Sequence, residues 1–126
     1  MKIEIKNRFT AEIIFSFECE TIKECVIEAI KQRVDLSRAN LSEANLSWVD
    51  LSGANLYGAN LSWADLSGTN LTGSDLSATT LYDANLRGAN LTGAKITDAN
   101  FVGSDLSDAV WVDGKKCKSG STGNCK

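Results

Sequence analysis

From Val34 to Asp113 the chain divides without a gap into sixteen units of five residues. Each reads small, Asn/Asp, Leu, x, x, as in Ala39-Asn40-Leu41-Ser42-Glu43 and Ala89-Asn90-Leu91-Thr92-Gly93. The third position is Leu thirteen times, then Ile96, Phe101 and Trp111. The first is Ala ten times and otherwise Val, Thr or Ser; the second is Asn eight times and Asp five, with Thr80, Lys95 and Val110 as exceptions. A period of five fits neither a helix at about 3.6 residues per turn nor a strand at about two. It fits a short strand and a turn taken together. Alternation within the strand turns the first and third residues inward and the second outward. The fourth and fifth then bend the chain, and Gly fills the fifth place in seven units. The inward Ala has to be small because chain from the other sides crowds the same axis, and Leu fills what remains. Such units stack into a solenoid around one continuous apolar column.

Composition narrows the function. No histidine occurs in the 126 residues, which removes Ser-His-Asp and Cys-His nucleophile systems, His-ligated metals and imidazole bases together. Proline is absent too. The chain reads as no enzyme, with no cofactor. A net charge of -3 argues against direct nucleic-acid binding. No apolar run is long enough to cross a membrane, and Met1-Lys2-Ile3-Glu4-Ile5-Lys6 alternates charge with apolar residues where a secretory leader would be apolar. A cytoplasmic, reduced setting is expected.

A solenoid must close its two ends or aggregate through them. Residues 1–33 read as an N-terminal cap: a β-hairpin over 2–19, turning at Asn7-Arg8-Phe9-Thr10, and a helix over 21–33. Thr21 with Glu24 forms a capping box, and Ile22, Cys25, Val26, Ala29 and Ile30 make one apolar stripe that includes Cys25 in the core. At the far end Phe101 and Trp111 replace Leu and enlarge the core where it needs a plug. Residues 114–126 form a basic tail holding Cys117 and Cys125. These two cysteines could close a loop as a disulfide, sit reduced in a free flexible tail, or take part in metal or redox chemistry. All four cysteines in one tetrahedral site is excluded, because Cys19 and Cys25 sit at the opposite end of the rod.

The A-(D/N)-L-x-x motif resembles that of the pentapeptide repeat family. The resemblance covers residues 34–113 and implies a right-handed four-sided β-helix, hence about four coils in an all-β solenoid. The hairpin-plus-helix opening is similar to that of some bacterial and phage members, and the run from Trp111 through Cys125 is similar to tails of other bacterial members. With four units per coil, residues twenty apart stack. Trp48, Trp63, Tyr82 and Val102 then face outward near one another, a candidate interface for self-association or an unknown protein partner. The second-position columns (Asp35, Asn55, Asp75, Lys95; Asn45, Asp65, Asn85, Asp105; Asp50, Asn70, Asn90, Val110) never place two Asp in vertical contact, which avoids like charges about 5 Å apart. The resemblance also implies an alternative. Quinolone-resistance members are acidic DNA mimics that bind a type II topoisomerase, gyrase, and the repeat here carries ten acids and three bases.

Overall fold

The computed structural model describes all of residues 1–126. Its regular elements are β1 (Lys2–Lys6), β2 (Ile13–Glu18) and α1 (Ile22–Lys31). Strands β1 and β2 pair antiparallel, with Ile3 opposite Phe17 and Ile5 opposite Phe15, and the register slips between Ile5 and Lys6. The slip lies next to the turn, where the Asn7 side-chain oxygen accepts from the N–H groups of Phe9 and Thr10. Ile13 is consequently left exposed while Ile5 is buried.

Helix α1 begins as its sequence dictates. The Thr21 hydroxyl accepts from the Glu24 N–H at 3.1 Å. The Glu24 carboxylate reaches back to the N–H of Glu20, one residue before the cap, instead of to Thr21 itself. The helix stops at Lys31, short of the expected 33, because Arg33 turns into the left-handed region at φ 57° and Val34 N donates to the Ala29 carbonyl. Cys25, Val26 and Ala29 are buried against the hairpin and the coil.

Beyond Asn40 the backbone forms single parallel bridges between residues twenty apart, beginning with Asn40 to Asn60 and ending with Asn90 to Val110. One rule generates them. From Leu41 to Leu91 the N–H of each third-position Leu donates to the carbonyl of the second-position residue nineteen further on, as Leu46 does to Asp65 at 2.8 Å. The second-position N–H in turn donates to a first-position carbonyl one coil earlier, as Asp65 does to Ala44 at 2.9 Å. The unit Val34–Arg38 stands partly outside this ladder: Asp35 and Asn55 do not bridge. A cleft lined by Ile30, Val34, Asp35 and Gly53 opens there instead.

Each corner is a four-residue turn. The N–H of the next first-position residue returns to the Leu carbonyl, as Ala64 does to Leu61 at 3.1 Å. The fifth residue lies at φ between 52° and 76° in fifteen of the sixteen units, the form of a type II turn. Glycine serves that conformation without strain, and eight other residues, Trp48 and Trp63 among them, adopt it at a cost.

The core is the inward column. Every third-position Leu from Leu36 to Leu106 is at most 2% exposed. Where the first position is Ser or Thr the hydroxyl is buried, yet it donates to the preceding turn's carbonyl: Thr69 to Leu66, Ser74 to Leu71, Thr79 to Leu76 and Ser104 to Phe101. That local bond is why a hydroxyl can stand where Ala is the rule.

Candidate interaction surface

The second position faces outward, but its side chain works on its own backbone. In all thirteen Asn/Asp units, from Asp35 to Asp105, Oδ1 accepts from the N–H two residues on at 2.9–3.2 Å. This Asx turn positions the fourth residue and so the corner. In several units the fourth-position hydroxyl also donates to the same oxygen, as Ser67 does to Asp65 at 2.6 Å. The interaction was legible in principle: Asn and Asp interchange at this position while Glu and Gln never appear, the mark of a short side chain bonding locally.

The carboxylates respond accordingly. The hydroxyl and N–H of Ser52 hold Asp50 below the usual carboxylate range. Asp75 is lowered by the N–H of Ser77, with Lys95 one coil on adding to it. Burial pushes Asp105 up, but Ser107 and Arg87, whose guanidinium stands 3.2 Å away, together bring it below the usual value.

The three exceptions at the second position divide. Thr80 accepts from the guanidinium of Arg8, which also donates to the carbonyls of Gly58 and Ala59 and so ties the hairpin turn across two coils. Lys95 stands over Asp75, and Val110 pairs with the tail. None of these was readable from a local motif.

The four candidate interface residues fall on two corners. Trp63, Tyr82 and Val102 share one: Trp63 N donates to the Tyr82 carbonyl, and Val102 follows one coil further, its carbonyl accepting from Asp83. They are 63%, 43% and 62% exposed. Trp48, 80% exposed, sits at the next corner with its ring over Gly68, so close that a Cβ there would overlap it. Trp48 also walls a cleft of about 380 Å³ against Ile27 and Ile30 of α1.

The tail is ordered. Asp105 bridges Thr122 and Val110 bridges Lys116, both antiparallel, and Cys117 is joined to Cys125 by a disulfide. Cys117 is buried and Cys125 half-buried against the end of the core. There Phe101 is covered and packs edge-on against the half-buried Trp111 at 5.3 Å. At the other end Cys25 is fully buried; burial, then its neighbour Cys19, raises its thiol to about 11, so it stays protonated and unreactive.

Every buried side-chain nitrogen or oxygen has a hydrogen-bond partner. No helix is long and apolar enough to cross a membrane. The profile of the family described as pentapeptide repeats matches residues 32–68 and 69–108, in eight copies. Among solved structures the chain is similar to HetL, a pentapeptide repeat protein involved in heterocyst differentiation regulation from the cyanobacterium Nostoc sp. strain PCC 7120. That match has 42% identity and a TM-score of 0.63, and covers 67% of this chain and 39% of HetL. It is also similar to Rfr23, a pentapeptide repeat protein from the cyanobacterium Cyanothece 51142, at 40% identity and a TM-score of 0.60 over 61% of this chain and 52% of Rfr23. The chain thus spans about half or less of either relative. No curated protein matches it.

Proposed function

Because the chain belongs to the pentapeptide repeat family, whose members form right-handed β-helices, we propose that it is a non-catalytic protein-interaction module of four coils closed at both ends. The N-terminal closure is the hairpin and helix. Asn40 N donates to the Lys6 carbonyl and Arg8 N to the Arg38 carbonyl, which gives the first coil a partner on its open side. The C-terminal closure is the tail.

The contact surface is the corner of Trp63, Tyr82 and Val102. Three large, exposed side chains at one corner of successive coils are more apolar area than a solvated turn needs, and they sit on a rigid ladder. Aromatic anchors of this kind carry most of the affinity in protein interfaces. The partner is another protein or a second copy. A photo-crosslinking residue placed at Trp63 tests this, with Thr92 on the flat opposite side as the control. A protein adduct or a dimer formed at 63 and not at 92 supports the corner. Equal yields at both sites would remove it.

The acidic alternative, a DNA mimic held by gyrase, has the sign of the repeat's charge in its favour. The thirteen Asx turns weigh against it, since each second-position Asp is placed by the needs of its own corner and Asn serves as well. Phosphate mimicry has no use for that equivalence.

A further inference from the structure

The last coil is paired on only two of its four sides. Over residues 104–113 the tail runs back along it: Leu106 N donates to the Ser121 carbonyl, Cys117 N to the Ala109 carbonyl, and Trp111 N to the Lys115 carbonyl, each at 2.8 Å. The tail turns its own corner as the repeats do. Ser121 N returns to the Lys118 carbonyl, Gly120 lies at φ 86°, and the Ser121 hydroxyl bonds to the Lys118 carbonyl. On the other two sides, residues 94–101, no main-chain pairing with a following segment forms, although Gly123 comes close to the Phe101 carbonyl at the far corner. In the coils below, the first-position carbonyl and the third- and fifth-position N–H groups pair with the next coil. The corresponding groups here are the carbonyls of Ala94 and Ala99 and the N–H groups of Ile96, Asp98 and Phe101, and none makes a hydrogen bond.

A second observation fixes the chemistry of what would bind. Lys115, Lys116, Lys118 and Lys126 are all exposed on the ordered tail, with no ion pair among them and no acid within residues 114–126. Lys95 is exposed on the bare side itself; the acids nearby are Asp98 on that edge and Asp113 at the corner before Gly114, fewer than the five lysines. Lys115 and Lys116 fold back over Trp111 and Val110, next to the corner where the bare side begins. This concentration of positive charge opposes docking of the same end of a second copy and favours a negatively charged strand.

We propose that residues 94–101 are a strand-addition site for an acidic, extended segment of a partner protein. Main-chain hydrogen bonds to Ile96 and Phe101 supply the pairing, and the lysines supply selection by charge. The segment needs a Gly-type turn to follow both sides, as the tail uses Gly120. The site is separate from the aromatic corner and stands or falls without it.

The test is an NMR titration of the isotopically labelled full chain with the peptide Ala-Asp-Leu-Ser-Gly-Ala-Asp-Leu-Ser-Gly. The expected result is saturable movement of the Ile96 and Phe101 amide signals, with their exchange slowed about tenfold or more. A peptide N-methylated at both Asp residues, and one with Lys in place of both Asp, should each bind at least about tenfold more weakly. Lys95→Gln with Lys116→Gln, both exposed and placing no new charge over Asp75, should weaken the original peptide several-fold. Undiminished binding of the methylated peptide would reduce the site to charge alone. Equal binding of the Lys peptide would remove the charge selection. No movement at Ile96 and Phe101, or movement with protein concentration before peptide is added, would overturn the proposal, the latter in favour of a second copy.

Discussion

Replacing Asp65 separates the two roles a repeat carboxylate can have. Its Oδ1 accepts from the Ser67 N–H at 3.0 Å and the Ser67 hydroxyl at 2.6 Å, and its backbone lies mid-ladder between Asn45 and Asn85. Asp65→Ala removes both bonds. Hydrogen bonds to a charged group contribute about 1.5–3 kcal/mol when shielded, but Asp65 is half-exposed and water replaces part of the loss, so about 1.5 kcal/mol is expected. With unfolding entropy near 2.1 cal/mol/K per residue, that lowers the melting temperature of a chain this size by about 6 °C. Asp65→Asn keeps the acceptor and drops the charge, so it should cost under about 0.5 kcal/mol, roughly 2 °C or less. Circular dichroism melts at neutral pH, backed by urea unfolding, read both variants. If Asn proves as costly as Ala, the charge and not the acceptor is what the position needs, and the Asx-turn argument is refuted. A neutral Ala variant would refute it from the other side.

Other perturbations follow the same logic. Leu61→Asn places an amide with no partner in a column where Leu61 is fully buried, and should cost about 3–5 kcal/mol in urea unfolding; a near-neutral result would sink the inward register. Ala78→Gly relieves a left-handed turn residue at φ 59° and should raise stability by about 0.5–1 kcal/mol after the glycine entropy cost; a lower melting temperature would count against strain at the fifth position. Asp50, Asp75 and Asp105 all have lowered pKa values in the folded chain. Their stabilisation is complete above the ordinary carboxylate pKa, about 3.9, and is lost as pH falls below it through the folded values. Stability that rises on acidification through that window would show the sign to be wrong.

Much of this fold was readable because the repeat carries its own physics. The inward Leu and small residue and the turn at the fourth and fifth places follow from a five-residue period; the stacking of residues twenty apart came from the family resemblance, because the period alone does not fix how many units close a coil. What the reading lacked depended on contacts across the chain. Thr80 departs from Asn/Asp because Arg8, far away in the hairpin turn, donates to it. The unit at Val34 leaves the ladder because the end of α1 sets its entry, with Arg33 left-handed. The tail gave no single answer from its cysteines, yet Lys118-Ser119-Gly120-Ser121 contains the Gly-then-small signature of seven of the repeat's corners, and that signal could have placed it. The aromatic surface was partly legible: stacking brought Trp63, Tyr82 and Val102 to one corner, while only the close approach of Gly68 explains where the Trp48 ring lies.

A repeat whose second-position carboxylates serve its own backbone should be inert toward an enzyme that grips duplex DNA, and a gyrase supercoiling assay tests this most directly. Titrated into gyrase with relaxed plasmid, the protein is expected to leave supercoiling unchanged up to high micromolar concentration. Inhibition at or below micromolar protein, abolished when Asp35, Asp50, Asp65, Asp75 and Asp105 are changed to Asn in a chain that still folds, would contradict it. The acidic surface would then be the functional one.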